Sequence, residues 1–268
     1  STQSCIIRGE KMKKISVTFL IIFCLAFSIS GCSNTPAKES NITIAAAASL
    51  KNCFDDGLLP LFQEKYPDIK FQTTYDSSGK LQTQIEVGAS IDVFMSAAMK
   101  QMNALDEKGL IVKDSIVELL ENKIVLIVPT NSNIEIKAFE DIIKADKIAI
   151  GDPGSVPAGQ YAKEALTNLN IWEKVSEKAS LGTNVTEVLS WVAEGSADAG
   201  IVYSTDAASN QKVKILAEAP QGSVSKVIYP VGIVKAAKDE ESAKKFIEFL
   251  KTDEALKVFE SYGFAVNK

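Results

Sequence analysis

Apolar and polar positions along this chain follow two rhythms, and the rhythms exchange at short intervals. "NITIAAAA", from Asn41, is a continuous apolar run of strand length, the pattern of a strand covered on both faces. "SLKNCFDDGLLPLFQEKY" then spaces its apolar residues as a helix does, opened by a serine and irregular around Gly57 and Pro60. "IKFQTTY" reads as strand, "SGKLQTQIEVG" as helix, "IDVFMSA" as strand and "MKQMNALDEKG" as helix. The pattern restarts at "NKIVLIVPT" (122–130), the most apolar strand of the chain. It continues through helix "IKAFEDIIKA", strand "KIAIG", helix "GQYAKEALTNL", a short strand near Leu181, helix "VTEVLSWVAEG" and strands "DAGIVY" and "VKILAEA". "KVIYPVGIV" (226–234) is a long strand interrupted by Pro230, and helices "EESAKKFIEFLKT" and "DEALKVFESYG" close the chain.

Strands separated by single helices predict parallel βαβ units and doubly wound α/β sheets. The runs 122–130 and 226–234 suit crossovers between two lobes. Lobe 1 is then 41–121 plus 235–268, and lobe 2 is 122–234 with the crossover segments included. A ligand cleft between them would lie at the carboxyl ends of strands. One continuous sheet satisfies the same periodicity.

The N-terminal stretch reads as an address. "MKK" (Met12–Lys14) precedes the apolar run "ISVTFLIIFCLAFSIS", which has the build of a secretory signal. "ISGC" (Ile29–Cys32) resembles the bacterial lipobox, which makes Cys32 the candidate for lipidation and places the protein outside the cytoplasm, anchored to the cell membrane. The alternative, a transmembrane anchor, is disfavoured by a run short for spanning about 30 Å of hydrocarbon. Residues 1–31 are then upstream sequence and signal, and 32–40 a small polar tether. Cleavage before Cys32 removes Arg8, Lys11, Lys13, Lys14 and Glu10, leaving 25 basic and 33 acidic residues. So acidic a surface is a poor partner for nucleic acid. Cys53 keeps no partner for an internal disulfide. Histidine is absent from all 268 residues, which excludes Ser-His and Cys-His nucleophile systems and His-based zinc sites.

Four places join a strand end, a loop of small residues and a helix start: "AAAASLKN" with Ser49, "YDSSGKLQ" with Ser77 and Ser78, "GDPGSVPAGQ", and "GTNVTEVL". A helix N-terminus offers unpaired N–H groups and a partial positive charge, a ready site for an anion. The plainer reading is that Ser49, Ser78 and Thr186 cap their helices. Pro157 presets the first turn and leaves the N–H groups of Ala158 and Gly159 free. Asp152 reads as an Asx-turn former. No G-x-x-x-x-G-K-[ST] run accompanies "GDP". "SSGK" has the S-x-x-K spacing of penicillin-interacting enzymes at Ser77 and Lys80, but neither S-D-N nor K-T-G occurs. Lys51 and Lys80, near the loop mouths, read best as solvated surface charge.

"AAASL", "SSGKLQTQIEVGASIDVFMSA", "IAIGDPGSVPAGQYAKEAL", "AGIVYSTDA" and the closing "YGF" resemble the molybdate-binding proteins of ABC importers, members of the class II extracytoplasmic solute-binding family. The resemblance runs from Asn41 to Lys268. It implies a two-lobed class II periplasmic-binding-protein fold, two doubly wound sheets joined by crossover strands with the ligand cleft between them. It implies a non-enzymatic monomer that binds molybdate and hands it to the permease and ATPase subunit of a transporter, with no cofactor. Tungstate, sulfate and thiosulfate are the alternative ligands. Carried over by motif, the ligand-binding positions are the hydroxyl and N–H of Ser49, the hydroxyls of Ser78 and Tyr203 and the N–H groups of Ala158 and Val185; Gly79, after Ser78, departs from a serine-rich loop and is expected to loosen it while leaving Ser78 in place. No side chain would touch the metal itself. All five positions are neutral donors, as suits a fully ionised tetrahedral anion that carries no proton to give.

Overall fold

A computed structural model describes residues 40–268. The leader, Cys32 and the tether up to residue 39 lie outside the described residues. Ser40, assigned above to the tether, already pairs with Ile69 as the first residue of a strand.

In the first half of the chain, β1 (Ser40–Ala47), β2 (Ile69–Asp76), β3 (Val93–Met95) and β4 (Val117–Asn122) alternate with helices. The chain then builds β5 (Ile124–Pro129), β6 (Ile148–Gly151), β7 (Ala179–Gly182), β8 (Ala199–Tyr203) and β9 (Val213–Glu218), and returns through β10 (Val227–Ile233) and β11 (Ala265–Val266). These strands form two sheets. One has the order β11-β4-β10-β3-β1-β2 and the other β7-β6-β8-β5-β9. With helices against them they make a two-lobed α/β fold.

The apolar run of β1 is explained by its place between β2 and β3, parallel to both, with Ile42, Ile44, Ala45 and Ala46 fully buried. Beneath it an aromatic cluster gathers Phe54, Phe62, Phe246, Phe249 and Phe259, so the closing helices Glu240–Leu250 and Asp253–Ser261 fold back onto the first sheet.

Three details depart from the pattern-based reading. The sheets are mixed rather than parallel: β10 runs antiparallel to β3 and β4, and β5 antiparallel to β8 and β9. These are the strands next to the chain crossings, and each enters its sheet from the other body. The segment 226–234, placed above with the second lobe, pairs entirely within the first sheet. An apolar run states that it will be buried, not in which sheet. Pro230 is absorbed there by a register shift against β4, as a residue without an N–H requires. On the outward crossing, β4 was not foreseen as a separate strand, and Lys123 alone joins β4 to β5. "IKAFEDIIKA" forms a 3-10 helix, Phe139–Lys144, and the expected irregularity near Gly57 is a π-helical turn, Phe54–Leu58, ahead of Pro60.

Candidate functional site

The helix starts were read as possible caps, and the structure gives that duty to other residues. Ser77, not Ser78, caps the helix Ser78–Glu86, its Oγ accepting the Lys80 N–H at 3.4 Å. Asn184, not Thr186, caps the helix Val185–Ala193 by accepting the Glu187 N–H at 3.0 Å. Ser49 lies inside the 3-10 turn Ala48–Leu50, which has no side-chain cap. Asp152 forms the expected Asx turn, accepting the Gly154 N–H at 2.8 Å.

Ser49, Ser78, Ala158, Val185 and Tyr203 line one small cavity between the two lobes. Ser49 and Ser78 follow β1 and β2 of the first sheet; Ala158 and Val185 follow β6 and β7 of the second, and Tyr203 ends β8. The cavity is small, without room for a sugar or peptide. None of the residues lining it is charged. A neighbouring cavity of about 60 Å³, beyond Ser49, carries Lys51 and Asp206 and only Ser49 of the five candidates.

The donors converge for local reasons. The helix Pro157–Asn168 makes its first i→i−4 bond from Gln160 N to Val156 O at 3.0 Å, so the Ala158 and Gly159 N–H groups precede the ladder. Gly159 lets this helix start lie against β6: a Cβ there would overlap the Gly151 carbonyl. Val185 likewise precedes the first ladder bond, from Val188 N to Asn184 O. Ser78 is fully buried, and its Oγ accepts the Ala97 N–H at 3.0 Å. A backbone N–H only donates, so the Ser78 proton is left for another acceptor. Burial holds the Tyr203 phenol well above the ordinary tyrosine range, keeping it a donor; its hydroxyl meets the Ala97 carbonyl at 3.3 Å.

That last contact crosses between lobes, and it is not alone. Gly79 N–H donates to Ser155 O at 2.9 Å, and Gln101 Nε2 to Gln160 Oε1 at 3.1 Å. The glutamine pair leaves Gln101 Oε1 and Gln160 Nε2 buried without partners, which offsets much of what the contact contributes. Gly79, expected to loosen its loop, is instead where the lobes touch: a Cβ there would lie 2.7 Å from Ser155 Cα.

The S-x-x-K spacing does not assemble a nucleophile and base. Ser77 Oγ is spent on its cap, and Lys80 Nζ faces Asp76 at 3.4 Å. Lys51 pairs with Asp55, matching its reading as surface charge. Among the described residues no cluster of Cys, Asp or Glu is arranged to hold a metal ion. Sequence reasoning missed Tyr229 and Asn122, which reach the site through Ser49; no local motif marks them.

Residues 42–265 match the family described as bacterial extracellular solute-binding protein. The chain is 42% identical over 257 residues to "Putative ABC transporter substrate-binding lipoprotein YvgL" of Bacillus subtilis (strain 168), covering 94% of this chain and 98% of that one. It is 39% identical over 261 residues to the molybdate-binding protein ModA of Haemophilus influenzae, covering 96% and 99%. Among solved structures, the periplasmic molybdate-binding protein of Azotobacter vinelandii superposes with a TM-score of 0.74 at 22% identity, over 85% of this chain and 100% of that one, a likeness of fold.

Proposed function

Because the chain belongs to the bacterial extracellular solute-binding proteins, a family of binders rather than enzymes, we propose that it captures molybdate outside the cytoplasm and delivers it to an ABC importer's permease. The observation that carries this reading is the uncharged cavity that Ser49, Ser78, Ala158, Val185 and Tyr203 line together from two lobes. Preorganised dipoles in a site shut off from water stabilise a dianion without a neighbouring cation. An acceptor-free shell also favours a fully ionised oxyanion over one that still carries a proton. The choice of molybdate within that class rests on the relatives named for it, with tungstate, near in size and identical in charge, expected to bind as well. Lipid anchoring through Cys32 is part of the proposal, supported by the "ISGC" pattern and by a relative named as a lipoprotein.

Closure follows from the geometry: donors on both lobes reach one anion only when the lobes meet, so the anion binds the closed form better and shifts the population towards it. Trp172 and Trp191 sit half-buried in the second lobe and report on the change. Titrating the mature chain with molybdate, tungstate and sulfate, by intrinsic fluorescence and calorimetry, is expected to give saturable binding of one molybdate. Silence in both readouts with every oxyanion overturns the proposal.

A more local result is expected at Ser78. Ser78→Ala removes a hydroxyl whose proton is free to point at the anion, and should weaken molybdate binding by about 1.5–3 kcal/mol. Calorimetry checks this, and wild-type affinity in the variant takes Ser78 out of the site.

A further inference from the structure

Ser49 has a side-chain partner, the Tyr229 hydroxyl, 2.8 Å from its Oγ. A hydroxyl has one proton and two lone pairs, so two arrangements fit that distance. If Ser49 donates to Tyr229, it turns only lone pairs towards the cavity and repels an anion there. If Tyr229 donates to Ser49, the Ser49 proton is left for the cavity.

The groups one bond farther back bear on the choice. Asn122 Oδ1 accepts from the Lys123 backbone N–H at 2.9 Å, a group that cannot itself accept, and from Ser204 Oγ at 3.0 Å. The amide is therefore fixed with its Nδ2 facing Thr205 Oγ1 at 2.9 Å and the Tyr229 hydroxyl at 3.2 Å. An amide NH₂ only donates. It fills one of the two lone pairs of the Tyr229 oxygen and leaves the other lone pair and the proton for Ser49 and for Tyr203, which also bonds Tyr229; a Tyr229 proton given to Ser49 leaves the Ser49 proton for the cavity. Burial raises the Tyr229 phenol well above the ordinary tyrosine range, so that proton stays in place at physiological pH. The ring itself is held, with its centroid 5.5 Å from that of Tyr203 and 5.3 Å from that of Phe264.

Resting on the reading of this cavity as the oxyanion site, we infer that Asn122 and Tyr229 form a one-directional hydrogen-bond relay that holds the Ser49 hydroxyl as a donor to the bound anion. Tyr229 is thus a positioning residue that touches no ligand. Ser78 reaches the same end by a shorter route, through the Ala97 N–H. With both serines of the first lobe held as donors, the site is selective for deprotonated oxyanions.

A double-mutant cycle tests the relay, with molybdate affinity measured by calorimetry for the wild type, Tyr229→Phe, Ser49→Ala and the double variant. Tyr229→Phe keeps the ring packing and is expected to weaken binding about tenfold or more, the scale of one directed bond to a charged group. With Ser49 already alanine, the same change should cost nothing further. A merely structural role for Tyr229 would weaken both backgrounds alike. Asn122→Ala, run in the same cycle, serves if Tyr229→Phe does not fold. Wild-type protein that binds molybdate, with an unchanged Tyr229→Phe variant or with losses that multiply in the double variant, overturns the relay alone. Wild-type protein that binds no oxyanion overturns the functional reading and the relay with it.

Discussion

Gly79→Ala is expected to weaken oxyanion binding by about a hundredfold or more while leaving the ligand-free protein at least as stable as the wild type. The added methyl group would overlap the Ser155 carbonyl and sit 2.7 Å from Ser155 Cα, and both obstacles are backbone. Neither can swing aside as a long side chain does. The substitution also breaks the geometry of the 2.9 Å bond from Gly79 N–H to Ser155 O. Held apart at this edge, the second lobe cannot bring Ala158, Val185 and Tyr203 to an anion resting on Ser49 and Ser78, so several charge-assisted bonds are lost together. An open protein does not feel the overlap, and alanine suits the first turn of a helix better than glycine. Calorimetry with molybdate and a thermal melt without it check the two halves. Wild-type affinity in the variant would show that the bound state does not use this contact.

The second large effect concerns pH. Asp206 is buried, and burial pushes its carboxyl up to about 7 against an ordinary 3.8, although it accepts the Tyr203 N–H at 3.1 Å. With the folded value raised, the folded chain holds a proton between about pH 4 and 7 that the unfolded chain has released. Stability on this account is fully present below that window and falls as pH rises through it, by up to about 1.4 kcal/mol per pH unit. Above pH 7 both states are ionised and the deficit is constant. Asp206→Asn keeps an oxygen for the Tyr203 N–H and removes the charge. It should flatten the slope and raise stability at pH 8 by on the order of a few kcal/mol. Denaturant midpoints of both proteins at pH 5, 6, 7 and 8 check this. Parallel curves would mean that the carboxylate is ionised in the fold across the whole range.

Much of the site was legible because its donors are local features. The Ala158 N–H is free because Pro157 opens a helix there, and Val185 because Asn184 precedes it as a cap; each needs only a few neighbouring residues. The motif resemblance around "AAASL", "SSGK", "VPAG", "NVTEVL" and "GIVY" selected five positions, and the cavity is lined by all five. Assignments within one residue of a helix start were less secure. Ser77 and Ser78 have equal chemistry, and only the backbone conformation decides that Ser77 caps the helix while Ser78 faces the cavity. Gly79 was read as a source of slack because glycine's freedom is visible in a sequence and the approach of Ser155 is not.

From the residues alone come the alternation of strands and helices, the places where helices begin and the neutral donor chemistry of those beginnings. They follow from periodicity, proline, glycine and capping residues, whose effects act within a turn or two. Tertiary structure alone decided that 227–233 joins the first sheet, that the crossing strands run antiparallel, and which groups stand behind the Ser49 hydroxyl. Those groups are Tyr229, 180 positions away, and Asn122, 107 positions from Tyr229. Strand pairing is chosen by the burial of whole faces, and a hydroxyl is oriented by whichever groups that pairing brings beside it. Neither is written in any stretch short enough to carry a local pattern.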